Sequence, residues 1–401
     1  MSPPLTEKPE HTYREGSYAG GRRIYDSDSH IMETLDWLSS YATQDQQGLI
    51  HPLATEKGGR GIYKAIKKAE SRTQDAEATA QLLEQPLISG PKGWAAYGAF
   101  DPQERSHALD LLGFEKQLVF PTFSIGQFAH SRNLDKVYAG CDMLNRHMAE
   151  FCATDERLLG VGYVSFADPA LALQVAQSAI QGGIRAIWVS SDPSDGRSPS
   201  HLDYDPVWRL LEHHNVPLIL HIGGGRGLNA DYHNAGHPEI TDWLGGGENL
   251  RGKDYHAISH SPQNFLTSLI YDQVFQRFPN LKCGVIEIGA TWVPGFLKIL
   301  DQGQLAFRKA EPLLDSLSLL PSEYFKRQVR VSLFPYEDAG WLIDQVGDEV
   351  IMFASDYPHP EGGRDPIGRF DATLKAAQTS KASRDRFYHG NFADLFHLNR
   401  D

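Results

Sequence analysis

What most limits the fold of this chain is a series of eight short, nearly unbroken apolar runs with amphipathic segments between them. The runs are 22–28 (RRIYDSD), 117–123 (QLVFPTF), 158–166 (LLGVGYVSF), 184–191 (IRAIWVSS), 216–223 (VPLILHIG), 282–289 (KCGVIEIG), 328–333 (QVRVSL) and 350–356 (VIMFASD). Continuous apolar character is expected of parallel strands covered on both faces. Between the runs, Leu134, Val137, Cys141, Leu144 and Met148 recur at helical spacing within 133–153. Asp168-Pro169 and Asp205-Pro206 read as helix starts, because Asp can cap free amides and Pro suits the first helical position. Residues 263–279 and 336–346 complete the helical set. Strands alternating with helices predict an α/β (β/α)8 barrel filling residues 1–401 as a single domain. A doubly wound open sheet is the alternative. The lack of a glycine-rich dinucleotide fingerprint after the first run counts against it.

Two intervals are too long for ordinary loops. Residues 36–115 separate the first two strands and are helix-prone in the middle (KAIKKAESRTQDAEATAQLLEQ), which predicts an inserted helical lid. Residues 222–262 follow strand five as a long loop. Both follow strands, and post-strand segments of a barrel gather at its catalytic face.

Composition narrows the partners. With 38 Lys+Arg against 51 Asp+Glu the net charge is −13. That balance argues against nucleic-acid and anionic-membrane surfaces, which need positive patches. No apolar run approaches the roughly 20 residues of a membrane span, and the opening MSPPLTEKPEHTYREG has no signal-peptide core. The cysteines Cys141, Cys152 and Cys283 form no C-x-x-C pair, so reduced thiols and a cytoplasmic location are expected.

Chemistry-bearing residues cluster at the ends of the runs. Asp28 and His30 share a face by the two-residue period of a strand. His221 ends the fifth run, Glu287 lies within the sixth, and Asp356 ends the eighth. Each has an ordinary explanation alone: a turn Asp, a core His, a carboxylate with an ionic neighbour. Together they fall at strand ends that a barrel brings to one mouth. Mixed imidazole and carboxylate donors suit zinc, manganese or iron(II) and do not resemble a calcium cage.

The pattern D-S-D-S-H-x-x-E on strand one, L-I-L-H-I on strand five and A-S-D-Y-P-H-P-E-G on strand eight resembles the amidohydrolase-related family. This is the branch of the amidohydrolase superfamily that contains the aminocarboxymuconate-semialdehyde, resorcylate and carboxyvanillate decarboxylases. The likeness runs over about 22–397 and includes the closing FYHGNFA. It implies one divalent metal, with zinc placed ahead of manganese, held by Asp28, His30, His221 and Asp356. Asp356 would double as the catalytic acid/base. Strand six departs from the better-known decarboxylases, which carry a His in an H-x-G context where this chain has Glu287-Ile288-Gly289.

Two reactions follow from the resemblance. In the first, a non-oxidative decarboxylation, Asp356 protonates the carbon that loses CO2, and Glu287 shuttles a proton or orients the substrate. In the second, a hydrolysis, a metal-activated water attacks a carbonyl. A non-catalytic ligand-binding barrel is the third reading. His256, His260 and His359 are further candidates for acid/base work or substrate contact, and Glu33 completes the strand-one motif or braces the next segment. Arg226, Arg251 and Arg364 are candidate cations for a substrate carboxylate. Trp94, Tyr97, Phe120, Phe123, Trp188 and Trp292 would suit a planar carboxylate substrate, or simply pack the core. The resemblance also implies a homodimer or higher homo-oligomer.

Overall fold

All eight apolar runs become strands of one parallel sheet in sequential order: β1 (Tyr25–Ile31), β2 (Lys116–Pro121), β3 (Leu158–Tyr163), β4 (Ala186–Trp188), β5 (Leu218–His221), β6 (Cys283–Ile286), β7 (Val329–Ser332) and β8 (Ile351–Met352). The computed structural model describes residues 16–53, 59–194, 196–225, 227–238 and 251–398. The sheet closes on itself between β8 and β1. The Ser27 amide donates to the Phe353 carbonyl at 3.1 Å, the Asp356 amide to Asp28 at 2.9 Å, and the His30 amide to Tyr357 at 2.8 Å. Asp26 secures the same seam: its carboxylate accepts from Gln117 Nε2 on β2 at 2.8 Å and from the Ser355 amide and hydroxyl at 2.8 and 2.6 Å. The architecture is the predicted (β/α)8 barrel.

Each strand leads to a helix on the outside. Pro102–Leu112 serves the first unit, followed by Leu134–Ala153, Pro169–Gln181, Asp205–His214, His260–Tyr271, Val293–Phe307, Ala339–Val346 and Pro366–Ala376. Asp168 caps its helix as expected, accepting from Ala170 and Leu171. Asp205 does not. Its helix begins at Asp205 itself, and the carboxylate instead takes the guanidinium of Arg277 at 2.7 and 3.1 Å. Apolar side chains make up most of the strands, with Leu118, Val119, Val161, Ile187, Ile219, Val285, Val331 and Ile351 at most 1% exposed, so each strand buries both faces.

The 36–115 interval carries helices Gly59–Thr73 and Ala76–Leu83 before the Pro102–Leu112 helix. The segment after β5 contains the short helix Gly252–Ala257. No described helix is long and apolar enough to cross a membrane.

Candidate metal centre

β1 is buried along all seven residues, so Asp28 and His30 cannot turn to solvent. They meet His221, the last residue of β5, and Glu287, the first residue beyond β6. His30 Nε2 lies 3.3 Å from Asp28 Oδ1, 3.4 Å from Glu287 Oε2 and 3.6 Å from Asp356 Oδ1. His221 Nε2 lies 3.6 Å from Asp28 Oδ1 and 3.3 Å from Glu287 Oε2. None of these approaches is aligned as a hydrogen bond. Asp28 Oδ1, His30 Nε2, His221 Nε2, Glu287 Oε2 and both Asp356 oxygens are buried without a hydrogen-bond partner among the described residues. Orphaned buried donors and acceptors are costly, and these six lie in two overlapping groups that share His30 and Glu287.

Their spacing suits a metal ion. Nitrogen and oxygen ligands about 2.0–2.2 Å from a common ion stand about 3.0–3.5 Å apart, close to the observed separations. Single donor atoms from Asp28, His30, His221 and Glu287 all lie within 4.8 Å of one another, as do those of His30, Glu287, Asp356 and His359. The imidazoles are also fixed in orientation. His221 Nδ1 lies 2.9 Å from the Ile222 carbonyl and His30 Nδ1 3.4 Å from the Thr122 hydroxyl, which turns each Nε2 inward toward the carboxylates.

Backbone and electrostatics are organised for the same end. Glu287 and Asp356 adopt left-handed backbone conformations, with φ of 55° and 51°, a strained state for non-glycine residues that concentrates at functional sites. Burial raises the Asp28 carboxyl, but the imidazoles of His221 and His30 outweigh it and hold the group below its usual range. Glu287 is pushed well above its usual range by burial and by the charges of Asp356 and Asp28. The carboxylates of Asp28, Glu287 and Asp356, buried beside two imidazoles, form a donor set that a divalent cation would satisfy.

His359 joins this group from the β8 loop. Its ring stacks on His30 with centroids 4.0 Å apart, its Nδ1 lies 3.0 Å from Asp356 Oδ1, and its Nε2 lies 3.0 Å from the Thr122 hydroxyl. Gly362 makes that loop possible, because a Cβ there would lie 2.0 Å from the Ser355 carbonyl. His256 and His260 are placed elsewhere. Both are exposed, and their rings face each other at 5.2 Å, outside the buried cluster. Of the candidate arginines, Arg364 is exposed and Arg251 half-buried, while Arg226 lies outside the described residues. Phe120 and Trp188 pack on the His221 ring at 4.3 and 4.8 Å, and Trp94 stacks on Phe123 at 5.2 Å. Trp292 packs instead against Phe296 and Phe325.

Three supporting residues had no sequence signal or a partial one. Glu33 accepts from the amides of Thr122, Phe123 and Ser124 and from the Ser124 hydroxyl, fixing the loop after β2. Glu337, which the sequence reading missed, does the same after β6, accepting from the amides of Ala290, Thr291 and Phe334 and from the Thr291 hydroxyl. Gly289 has φ of 69° and passes close to that carboxylate. Arg105, also missed, is fully buried and donates to Gly98, Gln117 and the His30 carbonyl, tying the insertion to the site.

A family model described as amidohydrolase matches residues 26–398. The chain belongs to the amidohydrolase family. Among curated proteins no sequence matches. An amidohydrolase of Mycobacterium avium subsp. paratuberculosis K-10 is similar in structure, with a TM-score of 0.66 at 21% identity over 93% of this chain and 99% of that one. A 5-carboxyvanillate decarboxylase of Novosphingobium aromaticivorans DSM 12444, complexed with manganese and 4-hydroxy-3-methoxy-5-nitrobenzoic acid, gives 0.61 at 20% identity over 97% and 100%. A dihydroxybenzoic acid decarboxylase of Polaromonas sp. JS666, with manganese and 2-nitroresorcinol, gives 0.60 at 17% over 95% and 98%. At these identities the likeness establishes the barrel fold. The order that placed zinc ahead of manganese is overturned, since the metal in both decarboxylase structures is manganese.

Proposed function

We propose that this amidohydrolase is a manganese-dependent, non-oxidative decarboxylase of a small, planar carboxylic acid. The observation that carries the reading is the convergence of orphaned donor atoms from Asp28, His30, His221 and Glu287, with Asp356 and His359 on the adjoining side. The first four residues are the ligand set, and Asp356 stands next to it as the acid. Glu287 thus moves from the catalytic group to the metal shell, where its carboxylate takes the place of the strand-six imidazole. A divalent manganese held there would supply Lewis acidity and a template for the substrate's carboxylate and a neighbouring oxygen.

The remaining work falls to side chains. Asp356, protonated, delivers its proton to the carbon bearing the carboxylate. The C–C bond then breaks, its electron pair stays with the substrate skeleton, and CO2 leaves. One proton enters and one CO2 departs, so the balance closes. His359 is the natural source of the next proton, because its Nδ1 stands 3.0 Å from Asp356 Oδ1. The Thr122 hydroxyl donates to the Ile31 carbonyl at 2.7 Å, so it accepts from His359 Nε2 and leaves Nδ1 to exchange protons with Asp356. Phe120 and Trp188, packed on the imidazoles, shield the site from water and strengthen its electrostatics. Residues 36–115 serve as its lid.

The test is metal analysis followed by turnover in D2O with a panel of aromatic hydroxycarboxylates. About one manganese per chain, CO2 release and a single deuterium at the vacated carbon are expected, with Asp356→Asn reducing turnover by about 100-fold or more. Incorporation of 18O from labelled water into the product, without CO2, would establish hydrolysis instead.

A further inference from the structure

The insertion between β1 and β2 is thinly packed. Helix Ala76–Leu83 buries none of its 8 residues. A helix below roughly 12 residues is marginal in water and depends on tertiary packing, yet this one turns part of its apolar face to a cleft. Ala78 and Leu82, with Ala69 of helix Gly59–Thr73 and with Pro91, Trp94 and Pro360, line a cavity of about 620 Å³. Small-molecule sites occupy about 300–1,000 Å³. The charged residues of the lining are all cations, Lys68, Arg72 and Lys92, in a chain of net charge −13. Arg72 is matched by Glu104, which takes both of its terminal nitrogens, and Lys68 is exposed. Lys92 is different. Its Nζ is shielded from solvent and has no hydrogen-bond partner among the described residues. The charges acting on it are Asp356, Glu361 and Arg364, but both oxygens of Glu361 are as bare as the ammonium itself. Burial lowers that ammonium to about 8, so it keeps most of its charge at neutral pH. None of Asp28, His30, His221, Glu287, Asp356 and His359 lines this cavity.

Two unmet demands thus share one cleft: apolar side chains without a cover, and a buried ammonium without a partner. We propose that the cleft is a second binding site, separate from the metal centre, for a small amphipathic carboxylate. Its hydrocarbon body packs against the two helices of the insertion, and its carboxylate pairs with Lys92. The chemical class follows from the lining. A neutral hydrocarbon leaves the ammonium unpaired, a small hydrophilic anion leaves Ala78 and Leu82 uncovered, and an organic cation meets like charge. The ligand supplies the packing that helix Ala76–Leu83 lacks, so binding stabilises the insertion in place. No part of this site draws on the metal-centre reading, and the two stand or fall separately.

The probe is octanoate, with 1-octanol (the chain without the charge) and acetate (the charge without the chain) as controls. Each is titrated calorimetrically in chelator, so that no metal is free to hold a carboxylate. One octanoate per chain should bind, at least about tenfold more tightly than either control. Lys92→Met should bring octanoate down to the level of 1-octanol. Ala78→Trp, which fills the cleft from a helix that buries nothing, should remove binding of both. Amide hydrogen exchange reads the location: octanoate should slow exchange within 59–83 in wild type and leave Ala78→Trp unchanged. Lys92 makes no hydrogen bond that Met would break, so this variant keeps its fold and decides alone if Ala78→Trp unfolds. Octanoate no tighter than the controls, undiminished binding in Lys92→Met, or protection confined to residues outside 59–83 each overturns the proposal. Binding seen only after manganese is restored places the carboxylate at the metal centre and overturns it as well.

Discussion

Two sets of buried carboxylates at the same barrel mouth are in opposite states. Glu33 and Glu337 are saturated. Each sits just beyond a strand, β1 or β7, and gathers backbone amides and a hydroxyl from a neighbouring post-strand loop. Asp28, Glu287 and Asp356 are buried to a similar depth, yet each leaves at least one oxygen bare. A saturated carboxylate holds structure together, because its partners would otherwise be unpaired amides. A bare one opposes folding and persists for what it will bind. Residue type and depth do not separate the two sets, whereas hydrogen-bond satisfaction does. The pairing is also spatially ordered. Glu33 fixes the loop that carries Thr122, the partner of His359, and Glu337 fixes the loop that follows Glu287.

The largest effect should come from the bare set. His221→Ala or Asp28→Asn should lower manganese affinity by at least about 100-fold, since even changes around a ligand cost 10- to 100-fold. Turnover should fall with it, while the barrel keeps its circular-dichroism spectrum and unfolding midpoint in chelator. Wild-type manganese content in either variant would break the comparison at its strongest point.

The saturated set should show the reverse. Glu337→Ala leaves the amides of Ala290, Thr291 and Phe334 without this acceptor. A loss of about 3 kcal/mol or more in urea unfolding is expected, at about 1–3 kcal/mol for each unsatisfied buried group. The folded fraction should still take up one manganese. Loss of metal with unchanged stability would show that Glu337 belongs with the bare carboxylates.

The sequence reading recovered one set better than the other for physical reasons. Strands buried on both faces write themselves as apolar runs, so all eight were legible. Asp28, His30, His221 and Asp356 could be brought together because barrel topology converges strand ends, whatever the loops do. Glu287 was located, but its place among the inward donors depends on the backbone turn at φ 55° just past β6, which a two-residue period cannot anticipate. Glu337 and Arg105 act through contacts with residues far along the chain, such as Arg105 on the His30 carbonyl, and no local pattern marks them. His256 and His260 misled the reading in the opposite sense. They occupy a post-strand segment, but the helices Gly252–Ala257 and His260–Tyr271 leave them exposed.

The smallest effect, and the sharpest test of sign, concerns Glu361, a bare carboxylate outside the ligand set. Burial, reinforced by the charge of Asp356, raises its carboxyl from 4.5 to about 7. The folded state therefore holds this proton more tightly than the unfolded state. The stability it confers is fully present below pH 4.5 and is lost as pH rises through about 7. Glu361→Gln removes that dependence. In chelator, so that metal uptake does not enter, variant and wild type should be equally stable near pH 4.5. The variant should become the more stable by about 1–2 kcal/mol at pH 8, less than the full shift because the group is partly exposed. Urea unfolding of both proteins at the two pH values reads the difference directly. A variant less stable than wild type at pH 8 would mean that Glu361 is satisfied when ionised. The line between bare and saturated carboxylates would then fall inside the β8 loop, at Asp356, and no longer beyond it.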